Sequence, residues 1–208
     1  AVCFGAWCEL QSNSQVLDIG SGTGLLSLML AQRFPDVLIE GIELDPKAAK
    51  RCRENYKNSP FSNRLSLIQG DVREAAVKNF DAVVCNPPFF HEGSRSYNLQ
   101  RDLARNSESL SFEVLAELVH KKFNAQEVFF ILPIDRESEM KDLMISEGYC
   151  PIRTTQIIAK ANKEAHRSML HFSKTSGELI QDEILMRSAD NSYTASYNEM
   201  CRGFYLRR

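Results

Sequence analysis

A glycine-rich run stands near the start of the chain, directly after a short apolar stretch. Its residues are Asp18-Ile19-Gly20-Ser21-Gly22-Thr23-Gly24. Glycines at a strand-to-helix turn let the backbone bend tightly and approach a ligand closely, because no Cβ stands in the way. The spacing G-x-G-x-G differs from the G-x-G-x-x-G spacing of dinucleotide-binding turns. The run predicts a ligand-binding turn of another kind, and the alternative is a tight turn without a ligand.

Two further acids lie at the ends of the next two apolar runs. Glu43 is at the end of the first of these runs, 19 residues after Gly24. A carboxylate at this point can accept hydrogen bonds from both hydroxyls of a ribose. Its alternative is a solvated charge at a strand end. Asp71 lies in a turn after the next run. Asp45 has a different role, since it precedes Pro46 and is placed to cap a helix.

The tetrapeptide Asn86-Pro87-Pro88-Phe89 can activate a planar amino group. The prolines fix φ, so the Pro87 carbonyl and the Asn86 side chain can both accept from one NH2 group. Phe89 can stack on the plane that carries this group. Accepting both hydrogens localises the nitrogen lone pair and makes the nitrogen nucleophilic. The alternative is that the two prolines only end a strand.

The elements around these residues alternate between strand and helix. Short runs rich in Val, Ile, Leu and Phe predict buried strands over 15–19, 38–44, 65–68, 80–85 and 128–132. Apolar residues at helical spacing predict helices over 25–34, 46–56, 112–123 and 136–147. This alternation predicts an α/β, doubly wound fold with a mostly parallel sheet. The glycine run and Asn86 then face each other across the switch point of the sheet.

The rhythm changes after Gly148. Strands are predicted over 149–159 and 168–172, joined by the polar segment 160–167, as in an antiparallel hairpin at one edge of the sheet. The polar stretch 92–109 is predicted to be a mobile loop. No internal repeat or boundary interrupts the chain, so residues 1–208 are expected to form a single domain.

Composition limits the class of protein. The 208 residues carry 25 Lys and Arg against 27 Asp and Glu, which excludes a uniformly basic surface but leaves room for a local basic patch. Six cysteines form no C-x-x-C pair and four histidines form no ligand spacing, so we expect reduced thiols, a cytoplasmic location and no metal. No apolar stretch approaches the roughly 18 residues of a membrane helix, so no membrane partner is expected.

The glycine run resembles motif I of the S-adenosylmethionine-dependent methyltransferases, which have a Rossmann-like fold. The resemblance implies that Asp18 holds the cationic amino-acid end of S-adenosylmethionine and that Gly20, Gly22 and Gly24 let the backbone approach it. It also implies that Glu43 binds the ribose. Asp71 is then the acid that accepts from the adenine amino group, its alternative being a plain turn residue.

Asn86-Pro87-Pro88-Phe89 resembles the (N/D)PP(Y/F) motif of enzymes that methylate adenine N6, guanine N2 or glutamine amides. Nearly the whole chain is similar to the bacterial N6-methyltransferases that modify adenine-37 of tRNA1(Val). The similarity is carried by 4–7, 17–33, 86–90, 132–133, 166–167 and the tail 191–206. It implies an enzyme that acts on tRNA with Asn86, Pro87, Pro88 and Phe89 as catalytic residues.

The resemblance leaves several points open. The segment with which the family usually begins is expected to be missing, since the chain opens inside an apolar run. The alternative substrates are guanine N2 in rRNA and a glutamine amide in a protein, and the alternative class is a cofactor-binding RNA-interaction module without catalysis. The oligomeric state is not predicted. Candidates for phosphate contacts are Arg95, Arg101, Arg105, Arg167, Arg202, Arg207 and Arg208.

Overall fold

The computed structural model describes residues 1–87 and 110–205. Within them, eight strands form one sheet: β1 (Gln15–Ile19), β2 (Leu38–Glu43), β3 (Leu65–Gln69), β4 (Ala82–Cys85), β5 (Glu127–Pro133), β6 (Cys150–Ile158), β7 (Ala165–Ser173) and β8 (Ile180–Leu185). The α-helices of this part of the chain are α1 (Val2–Trp7), α2 (Leu25–Arg33), α3 (Pro46–Lys57), α4 (Phe112–Glu117), α5 (Glu137–Ser146) and α6 (Ala195–Met200).

The strand order is β3-β2-β1-β4-β5-β7-β6-β8. Strands β1 to β5 are parallel, β7 is antiparallel to both β5 and β6, and β8 is parallel to β6. The chain moves outward from β1 to β3 and then returns to β4 on the other side of β1. This reversal is the switch point, and in it Ile19 is paired with Cys85. Gly20 and Asn86 therefore follow neighbouring strand ends.

Helices cover both faces of the sheet because successive strand residues point to opposite sides. In β5, Phe129 and Ile131 join a core cluster with residues of α1, α2 and α6. Phe130 and Leu132 join the other cluster, with residues of α4 and α5. Burial on both faces explains why this strand is an uninterrupted apolar run in the sequence.

The structure confirms the predicted α/β fold, its mostly parallel sheet and its antiparallel hairpin. The five predicted parallel strands match β1 to β5 within two residues at each end. Asp45 caps α3 as predicted, with the Ala48 N–H donating to its Oδ1 at 2.7 Å. The helix predicted over 112–123 changes after α4 into a π-helical turn, Leu118–Lys122. The predicted loop 92–109 lies outside the described residues.

Three elements were not predicted: α1, β8 and α6. The two helices have six residues each, too few to show a helical period. Strand β8 reads Ile-Gln-Asp-Glu-Ile-Leu and is half exposed, so its sequence has no buried run. It pairs with β6 and thereby covers the outer side of the predicted hairpin. None of the helices in the described part of the chain has the length and apolar character needed to cross a membrane.

Candidate functional site

The glycine run forms the turn between β1 and α2. Gly20, Gly22 and Gly24 all have positive φ, at 71°, 58° and 84°, a conformation that strains any residue with a Cβ. The Gly20 and Ser21 N–H groups donate to the Ile42 carbonyl at 2.9 and 3.1 Å, which ties the turn to the end of β2. A Cβ built on Gly20 or Gly22 would meet no described atom within 4 Å. The turn therefore offers open space for a ligand that approaches the backbone.

Helix α3 packs directly under this turn. A Cβ at Gly24 would lie 2.5 Å from Tyr56 Cε1 and 2.8 Å from Cys52 Sγ, so only glycine fits there. The Asn55 side-chain amide also donates to the Thr23 carbonyl at 2.8 Å. These contacts make α3 the support of the turn. The sequence gives no signal for the roles of Asn55 and Tyr56, because both depend on how α3 packs.

Asp18 is buried below the turn, with only 1% of its surface exposed. The Ser27 hydroxyl donates to its Oδ2 at 2.6 Å, which links the end of β1 to α2. Burial raises the pKa of Asp18 to about 6, against the lowering effect of the Ser27 hydrogen bonds, and the nearby charge of Glu43 adds to the rise. The contact with Ser27 was not predicted. Contact of Asp18 with a cofactor remains a prediction.

Asp18→Asn is expected to change how stability depends on pH. The pKa of Asp18 is higher in the folded than in the unfolded chain, so the folded wild type binds the extra proton between about pH 4 and 6 and loses stability as the pH rises through this range. The variant lacks this loss. Between pH 4 and 7, the free energy of unfolding of the variant should rise by about 3 kcal/mol relative to that of the wild type. Urea unfolding of both proteins at several pH values measures this change. A difference in stability between variant and wild type that does not vary with pH would contradict the prediction.

Glu43 lies beside the turn at the end of β2. Its Oε2 accepts the Gly22 N–H at 2.7 Å and its Oε1 accepts the Asp45 N–H at 2.8 Å. Each carboxylate oxygen has two lone pairs, so one acceptor site on each remains for a further donor. The two backbone bonds hold the carboxylate in one orientation. This arrangement fits bidentate binding of two ribose hydroxyls.

Asp71 lies next to Glu43 but is already engaged in an ion pair. The Gly70 N–H donates to the Glu43 carbonyl at 3.0 Å, which brings the Asp71 turn to the same edge of the sheet. Arg73 donates to Asp71 from its backbone N–H at 2.8 Å and from Nε at 2.9 Å. Hydrogen bonds from this guanidinium lower the pKa of Asp71. An adenine amino group would have to share Asp71 with Arg73, a competitor that was not predicted.

Asn86 and Pro87 follow directly after β4. Asn86 is exposed, and in the described part of the chain no residue hydrogen-bonds its side chain, whereas Pro87 is buried. A buried proline anchors the backbone while the amide beside it stays accessible to a substrate. Pro88 and Phe89 lie outside the described residues. The predicted site residues that are described thus all lie along the carboxyl edge of β1 to β4.

Comparison with known proteins identifies the family. The sequence model of the family described as methyltransferase small domain matches residues 8–115. The tRNA1(Val) (adenine(37)-N6)-methyltransferase of Haemophilus influenzae strain PittEE is 37% identical over 210 residues, which cover 99% of this chain and 89% of that protein. The chain belongs to this methyltransferase family. The enzyme of the same name from Shewanella baltica strain OS155 is 34% identical over 216 residues, covering 100% of this chain and 90% of the relative.

Solved structures confirm the methyltransferase fold. A predicted O-methyltransferase from Agrobacterium tumefaciens superimposes with a TM-score of 0.76 at 17% identity, covering 100% of this chain and 98% of the other. A methyltransferase from Pyrococcus furiosus gives 0.56 at 19% identity, with 81% and 78% covered. The family and the fold confirm the prediction of a methyltransferase enzyme.

Proposed function

We propose that this methyltransferase transfers a methyl group from S-adenosylmethionine to N6 of an adenine in tRNA, namely adenine-37 of tRNA1(Val). The observation that supports the substrate is the match to relatives of that name along almost the full length of both chains. The exposed Asn86 beside the glycine turn supports the reaction. A tRNA substrate agrees with the cytoplasmic location expected from the cysteines.

The cofactor site is the carboxyl edge of β1, β2 and β3. Its fit rests on the open space over Gly20 and Gly22 and on the oriented Glu43 carboxylate. Glu43 would hold the ribose, Asp71 the adenine amino group, and Asp18 the amino-acid end, either directly or by fixing the turn through Ser27. S-adenosylmethionine supplies an electrophilic methyl group bound to a sulfonium. The chain contributes the alignment of that methyl group with the attacking nitrogen.

The acceptor site is the Asn86 side chain together with the Pro87 carbonyl. Both accept from the target NH2 group, which holds the base in place and keeps the nitrogen lone pair available for in-line attack. Phe89 would stack on the target base once that base has flipped out of its stack in the RNA. The N–H proton leaves after methyl transfer, to water. These roles for Asn86, Pro87, Pro88 and Phe89 follow from the motif.

The same acceptor pair would also serve guanine N2 or a glutamine amide, so the test compares substrates. Labelled S-adenosylmethionine is incubated with unmodified tRNA1(Val) transcript, with the same transcript carrying guanine at position 37, and with total ribosomal RNA and protein. We expect label in the first RNA only, recovered as N6-methyladenosine by mass spectrometry. Label in ribosomal RNA or protein would favour the rivals, and binding of RNA without label would favour a non-catalytic module.

A further inference from the structure

The loops that follow β6 and β8 lie at the same edge of the sheet as the proposed active site. Strand β7 is antiparallel to both β5 and β6, so β6 runs in the direction of β5, and β8 runs in the direction of β6. The carboxyl ends of β4 and β8 therefore share one edge. Four strand spacings separate them, which is roughly 19 Å.

An exposed ring and a guanidinium are stacked in the loop after β8. Arg187 and Tyr193 form a β-bridge, and the guanidinium carbon lies 3.9 Å from the centre of the Tyr193 ring. The ring of Tyr197 packs against Tyr193 with centroids 5.2 Å apart and an interplanar angle of 20°. Tyr197 is buried, whereas 40% of Tyr193 is exposed. We call Arg187, Tyr193 and Tyr197 the Arg–Tyr stack.

The loop that carries the Arg–Tyr stack is fixed by its own hydrogen bonds. Arg187 Nη1 donates to the Asn191 carbonyl at 2.6 Å. The Thr194 hydroxyl donates to the Leu185 carbonyl at 2.6 Å and accepts the Tyr197 N–H at the start of α6. A stack that is already ordered loses little conformational entropy when a ligand binds. All three hydrogen bonds join residues within 185–197, so the order of this loop does not depend on the glycine turn or on Glu43.

Two lysines lie in the neighbouring loop after β6. The Ala161 N–H donates to the Arg187 carbonyl at 2.8 Å, which joins this loop to the Arg–Tyr stack. Lys160 directly precedes Ala161, and the Lys163 N–H donates to the Lys160 carbonyl at 3.1 Å, so both lysines belong to the turn that this bond joins to Arg187. Lys163 is exposed in the same loop. With Arg187 these cations outnumber the two acids of the loops, Glu164 and Asp190.

We propose that the Arg–Tyr stack binds an unpaired base of the RNA substrate at a distance from the target, while Lys160 and Lys163 contact phosphates. Aromatic and guanidinium planes bind bases of any sequence by stacking, and lysines bind the backbone. In the Arg–Tyr stack, Tyr193 is 40% exposed and Arg187 is half-buried. The inference rests on the proposed function. A strand that rises about 3.4 Å per stacked nucleotide reaches from Asn86 to the stack in five or six nucleotides. The contacted base therefore lies outside the immediate neighbourhood of the methylated adenine.

Tyr193→Ala is expected to weaken binding of long RNA but not of short RNA. The dissociation constant should rise roughly 5- to 150-fold for a single strand extending ten nucleotides to each side of the adenine. It should stay unchanged for a five-nucleotide RNA centred on that adenine. Tyr193→Phe keeps the ring and should bind like the wild type. The slope of log affinity against log salt concentration is negative. In the double variant Lys160→Ala/Lys163→Ala it should become less steep by about 0.7 per lysine.

Phe61→Ala is the matched control. Phe61 also packs against a guanidinium, that of Arg64 at 5.5 Å, but it precedes β3 at the opposite edge of the sheet. Equal weakening of long and short RNA by Tyr193→Ala, or weakening by Phe61→Ala of the same size, would overturn the proposal. So would unchanged binding of long RNA by Tyr193→Ala. If the wild-type enzyme methylates neither the single-stranded test RNAs nor tRNA, the proposed function is refuted instead.

Discussion

We expect Asn86→Ala to lower the single-turnover rate of methyl transfer by on the order of 10²- to 10³-fold while cofactor affinity stays unchanged. In the proposed mechanism the Asn86 oxygen accepts a hydrogen bond from the attacking nitrogen, and this bond strengthens as positive charge develops there in the transition state. Deleting one preorganised partner of such a charge costs roughly 2.7–4 kcal/mol. The proposed cofactor contacts come from β1, β2 and β3, which the substitution leaves intact.

The structure allows a clean test of this rate effect. Asn86 is exposed and its side chain supports no other described residue, so its removal should not lower the melting temperature. Asn86→Asp keeps an acceptor at the same place and should retain more activity than Asn86→Ala. Single-turnover rates with saturating tRNA and cofactor measure the effect. A wild-type rate for Asn86→Ala would mean that the tetrapeptide only ends a strand.

Local patterns were sufficient to predict the central fold. Strand β5 is buried on both faces, so its sequence is a continuous apolar run that ends at Pro133. The turn after β1 needs positive φ three times, and glycine is the residue that adopts it without strain. Strand β8 was missed because its polar residues are tolerated at the outer side of the sheet. Sequence patterns therefore predict buried strands and turns that need glycine, but they do not predict an exposed strand.

The contacts within the site were harder to predict than its location. Ser27 reaches Asp18 only because α2 folds back over the end of β1, and no spacing rule pairs residues nine apart. Arg73 lies two residues after Asp71, a spacing that does not by itself produce an ion pair. Both contacts engage the acids that the sequence assigns to a cofactor. Their consequence is that Asp18 and Asp71 have structural partners, whereas the oriented Glu43 carboxylate keeps free acceptor sites.

Glu43→Ala is therefore expected to have the largest effect on cofactor affinity. Hydrogen bonds from ribose hydroxyls to a carboxylate contribute about 1.5–3 kcal/mol, so the dissociation constants of S-adenosylmethionine and S-adenosylhomocysteine should rise roughly 10- to 150-fold. The Gly22 N–H also loses its acceptor, which loosens the turn at the proposed cofactor site. Glu43→Gln keeps one acceptor oxygen and should give an intermediate loss.

Calorimetry of both ligands with a matched control separates binding from folding. Glu40→Ala removes a carboxylate from the same strand, but Glu40 pairs with Lys78, away from the glycine turn, and should leave affinity unchanged. Gly22 is only half-buried, so water can replace Glu43 as its acceptor and Glu43→Ala should still fold. Unchanged affinity in folded Glu43→Ala would remove Glu43 from the site. Equal losses in both variants would show that the strand, rather than the oriented carboxylate, determines cofactor binding.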